Sequence, residues 1–128
     1  MFIEGEAMSV GSPYLFSWSN LGPALGDSEI MGGHVFALGC SIPANMTGTV
    51  FAVDATSLPT APVIAHVYQV SGATTTALGT MTIQADGSYA FVTTAALFAV
   101  GDVIKFVGPS AHDGRFANMW MTGVGVVV

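Results

Sequence analysis

Apolar and polar positions alternate with a period of two along most of this chain, and turn residues interrupt the alternation roughly every 8–15 residues. The clearest stretch runs from Pro62 to Pro109. Val63–Val70 (VIAHVYQV) is rich in β-branched and aromatic residues and stops at Ser71-Gly72. Ala77–Ala85 follows, then Asp86-Gly87, a type I′ hairpin signal, then Ser88–Thr94. Val103–Gly108 is ended by Pro109, which has no N–H for a ladder. Four more strands are predicted at Tyr14–Ser19, His34–Ile42, Thr47–Asp54 and Phe116–Val128. Within Tyr14–Ser19 the pattern puts Tyr14, Phe16 and Trp18 on one face. Within His34–Ile42 it puts Phe36, Leu38, Cys40 and Ile42 together. Gly123 and Gly125 mark bulges or close backbone approach in the last strand. Ala95–Val100 could make one helical turn, but six residues cannot hold a helix alone. Asn20–Ser28, Ala55–Ala61 and Ala111–Arg115 are loops.

About eight short strands predict an all-β fold, an antiparallel β-sandwich that is jelly-roll-like. The 128 residues suit one domain. We expect residues 13–128 to form the sandwich and residues 1–12 to form an N-terminal arm, set off by Gly11-Ser12-Pro13. Phe2, Ile3 and Met8 of that arm are apolar and are the expected partner-binding residues.

Charge changes the picture. Charged residues are 8% of the chain, against ~25% in ordinary soluble domains. A monomer covers its outside with charge, so this deficit points to an assembly. No apolar run approaches the ~20 residues of a spanning helix, and the strands are short for a membrane barrel, so no membrane partner is expected. Two basic residues against eight acidic ones, net −6, leave no cluster to neutralise phosphates, so no nucleic-acid partner is expected either. Glu4 and Glu6 interrupt the N-terminal apolar residues, which argues against a secretory signal and for synthesis in a cytoplasm.

Candidate chemistry is sparse. His112-Asp113 could orient a general base, but adjacent residues seldom face each other, and nearby Ser110 lacks a nucleophile motif. His34, His66 and His112 fit no short metal-ligand spacing. Cys40 falls on an apolar face and is expected to be a buried, inert thiol. Asn45-Met46-Thr47 matches a glycosylation sequon without a secretory context. Trp18, Trp120 and Tyr68 could make a sugar-stacking platform; core or interface packing is the plainer reading. No cofactor, metal site or enzymatic activity is expected.

The turn-and-strand pattern over residues 34–128 resembles the small β-sandwich virion proteins of tailed bacteriophages, which decorate capsids or form head and tail fibres. The stretches that carry the resemblance are Ser41–Thr49 (SIPANMTGT), Leu58–Pro62 (LPTAP), Leu78–Ile83 with Asp86–Phe91 (LGTMTI, DGSYAF), and Ala99–Pro109 (AVGDVIKFVGP). The chain departs from the pattern at Ser71–Thr76, which lacks an Asn-Gly turn. The resemblance implies a structural virion protein that decorates or stabilises the capsid, assembled in the host cytoplasm. It implies a homo-oligomer, expected as a trimer, with the phage major capsid protein or another virion protein as partner. Fibre or tail components and carbohydrate- or receptor-binding β-sandwiches are the alternative.

Overall fold

A computed structural model describes residues 9–128, which form ten strands and no α-helix. The strands are β1 (Pro13–Asn20), β2 (Ile30–Val35), β3 (Cys40–Ile42), β4 (Val50–Val53), β5 (Val63–Ser71), β6 (Thr74–Ile83), β7 (Tyr89–Thr93), β8 (Ala96–Phe98), β9 (Val103–Val107) and β10 (Met119–Val127). Every pairing is antiparallel. The first sheet has the order β1-β10-β3-β8, with β4 also on β10. The second has the order β2-β9-β5-β6-β7.

The order follows from one long ribbon. β1 pairs β10, β2 pairs β9, β3 pairs β8, and β5 pairs β6. The chain is therefore a hairpin whose arms stay paired while the ribbon rolls up: β1 to β3 and β8 to β10 alternate between the sheets, while β5, β6 and β7 stay together in the second. That is the jelly roll the alternation predicts. β7 is an added strand beyond β6. β3 and β4 are two halves of one row beside β10. Between the pairs Ser41↔Val126 and Val50↔Thr122 the chain makes an excursion at Pro43–Thr49, with a single 3₁₀ turn at Ala44–Met46.

Three local expectations are corrected. His34–Ile42 is not one strand: β2 lies in the second sheet and β3 in the first, and the chain crosses between them. The alternation survives the crossing, because Phe36 is buried and stacks on Phe98 at 4.4 Å. Residues 95–100 make no helical turn; β8 pairs with β3, a partner far away in sequence. The Asp86-Gly87 turn is not type I′. Among residues 85–87 only Gly87 has positive φ (+90°), and Gly87 N–H donates to Gln84 O while Gln84 N–H donates to Ser88 O. This is the three-residue loop with glycine in the left-handed position. Ten strands thus replace the expected eight.

The core lies between the sheets. Trp18 meets Phe106 at 5.4 Å and Phe51 meets Tyr89 at 5.7 Å across the gap. Each fully buried large side chain supplies about 1.5–3 kcal/mol. Glycines make room for this packing. A Cβ at Gly123 would overlap the Phe16 ring, and one at Gly32 would overlap the Trp18 indole. The β1–β10 register runs unbroken through Gly123 and Gly125, so these glycines are sites of close approach and not bulges. Among the described residues no helix is long and apolar enough to cross a membrane.

Candidate functional site

The strongest surface feature is the outer face of the first sheet. Alternation turns Tyr14, Phe16 and Trp18 inward and Leu15, Ser17 and Ser19 outward along β1. On β10 it turns Trp120, Thr122, Val124 and Val126 outward or partly so. The ladders then bring Leu15 beside Val124, Val50 beside Thr122, Ala52 beside Trp120, and Leu97 beside Ser41 and Val126. None of these residues is ionisable. Leu15 is 63% exposed, Leu97 66% and Val50 61%. A shallow depression of about 110 Å³ lies against Val50, Ala52, Trp120 and Thr122. The rows are unequal, β8 being only three residues long, and at ~4.8 by ~3.4 Å per residue they give a face of roughly 440 Å². An uncharged face of that size, broken only by serine and threonine, is the candidate interaction surface of this fold.

The second sheet presents a different exterior. His66, Tyr68 and Lys105 form its middle, with Thr80 beside His66 and Thr82 beside Ile64, and Ile64, Val92 and Val35 stand exposed around them. Lys105 Nζ stands 5.6 Å from the Tyr68 ring centroid, a cation–π contact. At one end an open cleft of about 340 Å³ is lined by Pro62, Val63, Ile64, His66, Pro109, Ser110 and Ala111. His66 and Ser110 both border it, yet neither side chain makes a hydrogen bond among the described residues.

The polar turn separates the two residues that sequence places together. His112 turns to Asp27: Nδ1 lies 2.6 Å from Asp27 Oδ1, and the His112 backbone N–H donates to the same oxygen at 2.8 Å. These bonds hold the Asp27 carboxyl below its usual pKa of 3.8. Asp113 instead accepts from Thr60 N–H at 3.1 Å and from the Thr60 hydroxyl at 2.8 Å. The turn is therefore a clasp over two loops, and both members of the His112–Asp27 pair are exposed.

The histidines stand apart. His34 packs between Phe16, at 5.0 Å, and Phe36, at 4.9 Å. Its Nε2 lies 2.9 Å from the Tyr14 hydroxyl, which accepts Ala37 N–H at 3.1 Å. Burial pulls the His34 pKa below 6.5. His66 is on the outer face of the second sheet and His112 is in the turn. Among the described residues no three His, Cys, Asp or Glu side chains gather into a metal site. Cys40 is fully buried, and burial pushes its thiol pKa up. The aromatic platform is not assembled. Trp18 is in the core, Trp120 is on the first sheet's outer face, and Tyr68 is on the second's. Asn45 has φ of +58° and its Oδ1 accepts Thr93 N–H, so the sequon's amide serves a structural contact.

Phe2, Ile3 and Met8 lie outside the described residues. The residues that sequence reasoning missed are Leu15, Val50, Leu97 and Val124. Their signal was present: each sits at a solvent-facing position of a strand whose other face is already apolar. No family model, curated protein or solved structure matches the chain.

Proposed function

We propose that this chain is a non-enzymatic structural protein of a tailed-phage virion, made in the host cytoplasm. It works as a homo-oligomer that seats on the major capsid protein and decorates or stabilises the shell. The observation that carries the reading is the uncharged outer face of the first sheet. The chain has a net charge of −6, yet that face holds no ionisable side chain across its ladders. Burying it costs no desolvation of charge and removes apolar surface from water, at roughly 25 cal/mol per Å² before association entropy. The jelly-roll frame and the resemblance over residues 34–128 supply the virion context, and a trimer is the state the resemblance implies.

The test is location. Mass spectrometry of purified particles should detect the chain in stoichiometric amount, and cryo-electron microscopy should place the first sheet's outer face against the shell. Absence from particles, or that face turned to solvent, would sink the proposal. One observation favours a fibre or receptor-binding role: Trp120 is 43% exposed beside a depression. That depression is lined by no Asp, Asn or Gln to bond sugar hydroxyls. A glycan array giving binding that Trp120→Ala abolishes would move the assignment there.

A further inference from the structure

A sandwich of two open sheets has edges, and bare edges recruit other strands. In this chain the edges other than β1 are covered, broken in register or short. β7 is covered by the Pro43–Thr49 excursion: Asn45 Oδ1 accepts Thr93 N–H at 3.1 Å, and the Tyr89 hydroxyl donates to Thr49 O at 3.2 Å. β2 carries a register break between Ile30 and Gly32. β8 is three residues long, and Leu97 O accepts from Gln69 Nε2 at 2.8 Å. β4 is four residues long and runs into Asp54.

β1 is the exception. It is eight residues long, it holds no charged residue, and its register with β10 has no break. Its other side has no strand partner among the described residues. The direction of its free groups can be read from its start. Val127 N–H donates to Ser12 O, so position 12 faces β10. Alternation then points Tyr14, Phe16, Trp18 and Asn20 toward β10 with their backbone groups, and leaves those of Leu15, Ser17 and Ser19 on the open edge. Pro13 fits this phase, because its missing N–H falls on the open side.

We propose that β1 pairs with β1 of a second copy, antiparallel across a two-fold axis at Ser17, joining two first sheets into one continuous sheet. The register follows from the strand itself. Centring on Ser17 pairs Ser17 with its twin and Leu15 with Ser19, so all three edge residues satisfy both backbone groups. Centring on Leu15 would set Pro13 against a carbonyl that it cannot serve. Centring on Ser19 would run the partner into Pro23. Each copy carries a net charge of −6 and would repel its twin, but the chain from Ser9 to Gly26 holds no charge. Because the chain's other edges are closed, short or broken, pairing stops at two copies and does not grow into a filament. The inference shares with the proposed function only the premise that the chain assembles; it puts a two-fold pair in place of the trimer and does not need the virion.

Ser17→Cys tests it in the full chain. Paired Cα atoms in this geometry lie about 5.5 Å apart, within disulfide reach, and the native Cys40 is buried and will not compete. Mild oxidation at micromolar concentration should give a reducible dimer linked 17 to 17 by peptide mapping, while Val92→Cys on β7 should give none. Ser17→Lys places like charges opposite each other. It should raise the dimer dissociation constant at least ten-fold at unchanged far-UV circular dichroism, and deletion of residues 1–8 should leave the dimer intact. If the wild-type chain is oligomeric but Ser17→Cys does not link, or deletion of residues 1–8 changes the dimer, the two-fold contact is overturned and the assembly reading stands. A wild-type chain that sediments as a monomer overturns both.

Discussion

The two sheets share a ladder pattern and a core, yet their exteriors differ. Outside the first sheet stand Leu15, Val50, Leu97, Trp120 and Val124, with serine and threonine as the polar residues among them. Outside the second stand His66, Tyr68 and Lys105 with Thr80 and Thr82, and also Ile64, Val92 and Val35. Folding requires only that one face of each strand be apolar. The second face is free to record what it meets. Both exteriors carry exposed apolar side chains; what separates them is charge, since the second holds Lys105 and a histidine and the first holds no ionisable group.

The comparison can be pressed first from the inside. A Cβ at Gly79 would overlap Val92 O, which is backbone, and φ there is +147°. A Cβ at Gly123 would overlap the Phe16 ring, which can turn. Gly79→Ala in the second sheet should therefore cost about 3 kcal/mol, and Gly123→Ala in the first about 1–2 kcal/mol. Urea midpoints will show the order, and equal losses would mean that Phe16 is as fixed as the backbone. Gly87→Val at the second sheet's hairpin should cost roughly 1–2 kcal/mol, because φ is +90°. An unchanged melting temperature would contradict that turn geometry.

A matched pair of lysines tests the exteriors. Val124→Lys and Thr80→Lys should each change folding stability by about 0.5 kcal/mol or less. Only Val124→Lys should reduce incorporation into particles. If both variants incorporate normally, the first sheet's face is not the docking surface.

The smallest effect is in pH. Burial depresses the folded pKa of His34 below 6.5, so the folded state binds fewer protons than the unfolded state. Stability is full above pH 6.5 and is lost as pH falls toward the folded value. The melting temperature should decline over that window, and His34→Phe should flatten the decline. A slope that persists in the variant would assign it to other groups.

The sequence made much of this legible, unevenly and for physical reasons. β5, β6, β7 and β9 were readable because β-branched runs ended at Ser71-Gly72, Asp86-Gly87 and Pro109. The split of His34–Ile42 was hidden because Phe36 and Cys40 both point inward on either side of the crossing. β8 was hidden because three residues carry no period and their partner is β3. The ties of His112 to Asp27 and Asp113 to Thr60 join loops 85 and 53 residues apart, and nothing local encodes them. The outer face was missed for another reason: alternation tells which side is out and leaves open what that side touches.

β10 is the middle row of the first sheet, with β1 on one side and both β3 and β4 on the other. It is also the last strand of the sandwich to leave the ribosome. Until it emerges, β1 has no neighbour, the halves of the broken row have nothing to lean on, and Trp120, Val124 and the rest of the outer face do not exist as a surface. Synthesis thus acts as a timer: a nascent chain cannot present the outer face of the first sheet early, and a chain cut short within β10 never completes it.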